Sequence, residues 1–120
     1  MYKNNLLAEK SMDFAVRIVN LCDFLVIEKQ ERIISKQLLR SGTSIGANVR
    51  EAIYAQSRRD FISKLGISLK ETAETEYWLE LLLRTKRLTQ TQYNSMQCDC
   101  GELAKILIVS IKSSKEESRL

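Results

Sequence analysis

The chain has 120 residues, of which 44% are hydrophobic and 28% are charged, and its formal net charge is +4. These values are typical of one soluble globular domain, and no apolar run approaches the roughly 18 residues of a membrane helix. The chain has no histidine. The commonest general acid–base group, and the usual partner of a serine or cysteine nucleophile, is therefore missing, so an enzyme is not expected.

The start of the chain and its cysteines indicate a reducing compartment. "MYKNNLLAEKSMDF" lacks the layout of a secretory signal peptide, so we expect a cytoplasmic protein. Cys22, Cys98 and Cys100 are an odd number of thiols, which favours reduced cysteines over disulfides. A zinc site is not expected, because there is no second cysteine pair and no histidine.

The first periodic segment covers residues 6–28. Apolar residues recur there at three- and four-residue spacing, which predicts an amphipathic helix: Leu7, Phe14, Ile18, Leu21 and Leu25. The polar stretch "EKQER" (28–32) is the predicted turn, although no glycine or proline marks it.

The second segment, residues 33–55, contains two of the four glycines. Gly46 lies beside an apolar stripe that comprises Leu38, Gly42, Ile45, Val49 and Ala52. A glycine inside a helix costs about 1 kcal/mol relative to alanine, so both glycines need a reason. A phosphate-binding loop needs another glycine spacing, a following lysine and a preceding strand. We therefore interpret the glycines as the place where a neighbouring helix approaches closely.

The third and fourth segments both open on the spacing of a capping box. Ser57 and Asp60 precede the segment 58–85, and Thr89 and Gln92 precede the segment 90–112. The predicted inward stripes are Ile62, Leu65, Leu69, Thr72, Leu79 and Leu83, then Tyr93, Met96, Cys100, Leu103 and Leu107. The polar residues 113–120 are expected to fray.

Together the four segments predict an all-α fold, a single antiparallel up-down four-helix bundle over residues 1–120. The first, third and fourth helices carry more apolar surface than one inward face requires, above all in "ILIVSI" (106–111). We interpret the surplus as a subunit interface, and a deeper intramolecular core is the alternative.

Carboxylates are crowded in the third helix, at Glu71, Glu74 and Glu76. A di-iron cluster of the kind found in helical bundles requires histidines, which are absent. We therefore expect no metal and no cofactor. The carboxylates, with Asn48 and Glu51, are interpreted as a polar network between the second and third helices, with outward glutamates solvated.

Three stretches point to a family: "SGTSIGANVREA" (41–52), "SRRDFISKL" (57–65) and "SLKETAETEYWLELL" (68–82). Through them the chain resembles the four-helix-bundle family of 23S rRNA intervening-sequence proteins, over residues 13–112. The most specific positions are Ser44-Ile45, Asn48, Glu51, Arg59-Asp60-Phe61 and Tyr77-Trp78-Leu79. Many members have proline where this chain has Gly46, and small residues where it has Arg50 and Ala52, which indicates a subgroup.

The resemblance implies assembly as a homopentameric ring. Some members are encoded within insertions in bacterial 23S rRNA genes. A related branch is the accessory variability determinant of diversity-generating retroelements, a basic pentamer that works with a reverse transcriptase and RNA.

Two functions follow as hypotheses. The first is a non-catalytic oligomeric protein that binds the RNA backbone through basic patches. The expected contacts are Arg40, Arg50, Arg58, Arg59, Lys64, Arg84, Lys86 and Arg87. Few aromatic residues are available for stacking: Tyr2 and Tyr54 could stack on bases, whereas Trp78 is expected in the core or an interface. The second hypothesis is an oligomeric scaffold that recruits a protein, such as a reverse transcriptase or a ribosome-associated factor.

Overall fold

The four periodic segments form four α-helices in the computed structural model, which describes the backbone of residues 3–118 and the side chains of residues 6–117. The helices are α1 (Lys3–Lys29), α2 (Ile33–Ile53), α3 (Arg58–Arg84) and α4 (Gln90–Ser118), and no strand occurs in the described backbone. The all-α four-helix architecture is confirmed. Among these helices, none combines the length and the apolarity that crossing a membrane requires.

Short connections make each helix antiparallel to the next. α1 packs on α2, α2 on α3 and α3 on α4, and α4 closes the bundle by packing more loosely on α1. The α2–α3 connection (54–57), the start of α1 and the end of α4 therefore lie at one end of the bundle, which we call the lower end. The α1–α2 and α3–α4 connections (30–32 and 85–89) lie at the upper end.

The predicted helix ends differ from the observed ones by a few residues, except at α4. This helix continues to Ser118, whereas the sequence predicted a frayed tail from residue 113. An ion pair between Arg58 Nη1 and Glu117 Oε2, at 2.6 Å, joins the last turns of α4 to the start of α3. The remaining residues of the predicted tail, 119 and 120, lie outside the described part.

The two glycines of α2 lie where this helix crosses α1. A Cβ on Gly42 would be 2.7 Å from Cγ1 of Ile18, and a Cβ on Gly46 would be 3.3 Å from Oγ of Ser11. Residues 33–53 are helical throughout, so "GTSIG" forms no loop. The glycines serve the close packing of two helices, because a side chain at either position would meet atoms of α1.

The inward face of α3 contains small hydroxyl residues that the predicted apolar stripe did not include, and these residues contact α2. Ser68 and Thr75 are fully buried, whereas Leu69 is only partly buried. Thr75 Oγ1 donates to Ser41 Oγ (3.0 Å), and Ser68 Oγ donates to the carbonyl of Ile45 (2.8 Å). Small hydroxyl side chains therefore bond directly across the α2–α3 interface.

Both upper connections end a helix with a non-glycine residue in the left-handed region. Gln30 has φ 54° and Lys86 has φ 63°. After α3, the N–H of Lys86 donates to the carbonyl of Leu83 and the N–H of Arg87 to that of Leu82, which is the Schellman arrangement. Glycine is the usual residue at this position, since other side chains are strained there.

Candidate nucleic-acid interface

The eight cationic residues predicted to contact RNA are divided between paired and unpaired side chains. Arg40 Nη2 lies 2.7 Å from Glu74 Oε2, and its Nη1 lies 3.8 Å from Glu71 Oε2. The other pairs are Arg58–Glu117 at 2.6 Å, Lys64–Glu51 at 3.2 Å and Arg84–Glu80 at 2.8 Å. These four cations are already neutralised by carboxylates, so each would have to exchange a partner to bind phosphate.

The other four predicted residues make no ion pair with any described residue: Arg50, Arg59, Lys86 and Arg87. Arg50 and Arg59 flank the α2–α3 connection at the lower end, and Lys86 and Arg87 belong to the α3–α4 connection at the upper end. With 27 residues in α3, the two pairs are separated by about 40 Å. The structure therefore brings the predicted contacts together as two end patches, not as one surface.

Each end patch contains further cations that the sequence reasoning had not selected. Lys112 and Lys115 lie at the lower end, on the last turns of α4, and Lys29 and Arg32 lie beside the α1–α2 connection at the upper end. All four are exposed and make no ion pair with another described side chain. The predicted up-down topology was the signal that could have identified them, because it places the end of α4 beside the start of α3 and the end of α1 at the same end of the bundle as the end of α3.

A polar cluster on the α2–α3 face accounts for much of the carboxylate crowding in α3. Trp78 Nε1 donates to Glu74 Oε2 (3.0 Å), and this bond, with Arg40 beside it, lowers the pKa of Glu74 despite some desolvation. Desolvation raises the pKa of Glu71, although Arg40 opposes the rise. The predicted network between α2 and α3 is thus formed by Arg40, Glu71 and Glu74 and by Lys64 with Glu51.

Two residues assigned to that network make other contacts. Asn48 Nδ2 donates to the carbonyl of Ser44 within α2, and Glu76 accepts from Gln97 Nε2 of α4 at 2.8 Å. Gln97 Oε1 is buried and accepts no hydrogen bond from the residues that the structure describes. Among the side chains that the structure describes, no three carboxylates or thiols are grouped as metal ligands.

Two shallow apolar grooves lie on separate faces of the bundle. The first, of about 320 Å³, lies between α1 and α2 and is lined by Ala8, Ser11, Met12, Ala15, Thr43, Gly46, Ala47 and Arg50. The second, of about 350 Å³, lies between α3 and α4 and is lined by Leu69, Ile108, Ile111, Lys112, Lys115 and Glu116. Met12 and Ile108 are each about half exposed, so the surplus apolar surface predicted from the sequence lies outside the core.

The aromatic residues differ in their exposure. Tyr54 is 79% exposed at the lower end, whereas Tyr93 packs against the core. Trp78 is partly buried, and the edge of its ring meets the ring of Tyr77 at a centroid distance of 4.9 Å. Tyr2, the other residue predicted to stack on bases, lies outside the described residues.

Comparisons with known proteins agree with this architecture. The model of the 23S rRNA-intervening sequence protein family matches residues 3–109. A crystal structure of a protein of unknown function from the S23 ribosomal protein family of Bacteroides thetaiotaomicron VPI-5482 is 62% identical. The match covers 92% of this chain and 98% of that one, with a TM-score of 0.91. No curated protein matches the chain.

Proposed function

Since the chain belongs to the family of 23S rRNA-intervening sequence proteins, we propose that it is a non-catalytic, oligomeric, cytoplasmic protein that binds the RNA backbone. The single observation that supports this role is the presence, at both ends of the bundle, of exposed cations that form no ion pair with a described carboxylate. Arginine and lysine side chains that are not neutralised by carboxylates can replace the counterions of a phosphate chain. Contacts to phosphate carry no base identity, so the proposed binding is independent of sequence.

The eight predicted residues would have two different roles. Arg50, Arg59, Lys86 and Arg87 would contact phosphates directly. Arg40, Arg58 and Lys64 would mainly join helices through their carboxylate partners, and Arg84 would pair with Glu80 within α3. An exposed ion pair contributes little to stability, but it does reduce the charge that is available to a ligand.

Oligomerisation is the second part of the proposal. We propose the homopentameric ring that the family resemblance implies, with the apolar side chains of the α1–α2 groove of one copy facing those of the α3–α4 groove of the next. Arg50, in the last turn of α2, would lie at the edge of this contact and remain open to RNA. The apolar lining of both grooves supports this arrangement, because half-exposed apolar side chains gain free energy when a neighbour covers them. A ring would repeat each end patch on every copy, so weak phosphate contacts would act together.

RNA binding can be tested by fluorescence anisotropy with a labelled, structured RNA at about 50 and 200 mM salt. We expect the affinity of the wild-type protein to fall steeply with salt, by close to one unit of log–log slope for each phosphate neutralised. The double variants Arg50→Gln/Arg59→Gln and Lys86→Gln/Arg87→Gln should each flatten this slope. The control, Arg40→Gln/Arg84→Gln, removes two paired cations and should change the slope less. Absence of binding at the lower salt concentration would contradict the proposal.

The exposed grooves also favour a second candidate function, an oligomeric scaffold that recruits a protein such as a reverse transcriptase or a ribosome-associated factor. Sedimentation velocity tests whether the α1–α2 groove joins copies of the chain. Met12→Glu places a charge in this groove and should reduce the molar mass to that of a monomer. Ile27→Glu, at a 71% exposed position at the upper end and outside both grooves, should leave the mass unchanged. A wild-type protein that is monomeric at micromolar concentration would exclude the ring and leave the grooves open to another protein.

A further inference from the structure

The α2–α3 connection exposes an aromatic ring that the bundle does not use. Tyr54 follows the last residue of α2, and the N–H of the next residue, Ala55, donates to the carbonyl of Ala52 at 3.0 Å. Its side chain is 79% exposed and makes no hydrogen bond or ring contact with another described residue. The residues on either side, Ile53 and Ala55, are partly buried. The backbone is therefore anchored while the ring remains in solvent, where it contributes nothing to the core.

The charges around Tyr54 are unbalanced in favour of arginine. Three carboxylates near the connection already have partners: Glu51 pairs with Lys64, Glu117 pairs with Arg58, and Asp60 accepts from the N–H of Gln56 at 3.4 Å. Arg50, four residues before Tyr54 and therefore on the same side of α2, makes no ion pair with a described residue, and neither does Arg59. The exposed Tyr54 side chain is thus flanked in the chain, at the same end of the bundle, by two arginines that form no ion pair with a described carboxylate.

A ring with flanking guanidinium groups has the chemistry that single-stranded nucleic acid requires. The face of an unpaired base stacks on an aromatic side chain, and arginine binds the adjacent phosphates in a bidentate manner. In a duplex, the faces of the bases are covered by neighbouring base pairs, so a surface tyrosine cannot reach them. We propose that the α2–α3 connection binds an unpaired RNA nucleotide, with its base stacked on Tyr54 and its flanking phosphates held by Arg50 and Arg59. This inference rests on the proposed function.

The upper end of the bundle provides an internal comparison. The α3–α4 connection, residues 85–89, also carries two cations that pair with no described carboxylate, Lys86 and Arg87, but it contains no aromatic residue. The upper patch can hold phosphates of any RNA, whereas the lower patch adds a stacking platform. Preference for single strands should therefore depend on the lower end alone.

The test compares two labelled RNAs of equal length, an oligouridine and a perfect duplex, by anisotropy with the full chain at about 50 mM salt. Tyr54→Leu removes the ring and keeps all charges. It should weaken oligouridine binding about 5- to 100-fold and change duplex binding less than about twofold. Tyr54→Trp should retain oligouridine affinity, since it preserves a stacking surface. The control Tyr77→Leu, at a 59% exposed position far from the connection, should bind both RNAs as the wild type does.

Three outcomes would overturn the inference. If Tyr54→Leu binds oligouridine normally while Arg50→Gln/Arg59→Gln weakens both RNAs, the backbone proposal stands and stacking on Tyr54 is wrong. If the wild type binds neither RNA, the proposed function and this inference both fail. If Tyr54→Leu changes the molar mass measured by sedimentation, the Tyr54 side chain is a contact between copies of the chain and not a platform for RNA bases.

Discussion

Gly42 in α2 lies directly against Ile18 in α1: a Cβ on Gly42 would be 2.7 Å from Cγ1 of Ile18, and two further carbons of that side chain would lie within 2.9 Å. Ile18 is fully buried, so its side chain has little room to move away. The contact explains why α2 keeps a residue that lowers helix propensity, because only glycine allows the two helices to come this close.

Alanine substitution should therefore have opposite effects at different glycines. Gly42→Ala forces Ile18 or the α1 backbone to shift, and we expect it to lower the free energy of unfolding by about 1–3 kcal/mol. Gly66 also lies in a helix, but a Cβ added there would meet no atom within 4 Å apart from the backbone of its own helix. Gly66→Ala should therefore raise the free energy of unfolding by about 0.5–1 kcal/mol. Urea denaturation followed by circular dichroism measures both. Equal shifts in the two variants would show that helix propensity, and not the contact with Ile18, governs Gly42.

Glu31 caps the start of α2, and a control substitution at a neighbouring glutamate can separate this capping from the loss of a surface charge. Its carboxylate accepts from the backbone N–H groups of Ile33, Ile34 and Ser35, at 3.2, 3.1 and 2.7 Å, and the residue is only 7% exposed. A negative charge at a helix N-terminus also interacts favourably with the helix dipole. Glu31→Ala should lower the free energy of unfolding by about 2 kcal/mol. Glu28→Ala, at an exposed neighbouring position, is the control and should have a much smaller effect in the same denaturation experiment.

The three thiols should differ sharply in reactivity. Burial, with the nearby charges of Asp23 and Glu31, raises the pKa of Cys22 to about 11, and burial, with Glu76 and Asp99, raises the pKa of Cys100 to about 12. Cys98 is exposed. Because the thiolate is the reactive form, Ellman's reagent at about pH 8 should modify one thiol in the folded chain and all three in guanidinium chloride. Rapid modification of the folded Cys98→Ser variant would contradict the burial of the other two.

The fluorescence of Trp78 should report the ionisation of Glu74. The hydrogen bond from Trp78, with the contribution of Arg40, lowers the pKa of Glu74 from its usual value of 4.5. A lowered pKa means that this contact stabilises the fold above the unfolded pKa and is lost as the pH falls through the folded one. We expect a change in Trp78 emission with a midpoint below 4.5. The change should be absent in Glu74→Gln and present in Glu71→Gln, and an unchanged transition in Glu74→Gln would assign it to another carboxyl group.

Local patterns predicted much of the fold. Spacing of three and four residues identified the inward stripe of α2, all five members of which are buried. Both N-caps form as expected, because they depend on residues close in sequence: Asp60 N–H donates to Ser57 Oγ at 3.1 Å, and Gln92 N–H donates to Thr89 Oγ1 at 3.1 Å. The reciprocal bond of a capping box forms at Thr89, whose N–H donates to Gln92 Oε1, whereas the Asp60 carboxylate accepts from Gln56 N–H instead. The cap by Glu31 was missed, since "EKQER" looks like a polar turn. Its carboxylate reaches α2 in a connection where Gln30 adopts a φ of 54°.

The candidate site was predicted less well than the fold. Sequence identified eight cations, but it could not show that four of them have carboxylate partners, because three of those pairs join residues on different helices. Lys112 and Lys115 were not selected, because the chain was expected to fray from residue 113, whereas α4 continues to Ser118.

By itself, the sequence determined the four helices, their antiparallel order and the close approach at Gly42, since these depend on periodicity, short connections and the absence of a side chain. Tertiary structure alone decided which charges are neutralised, which apolar side chains remain uncovered and that the Tyr54 side chain is exposed at the lower end. The physical reason is that ion pairs, grooves and end patches are formed by side chains from separate helices, whose relative rotation and register are set by packing of the whole bundle.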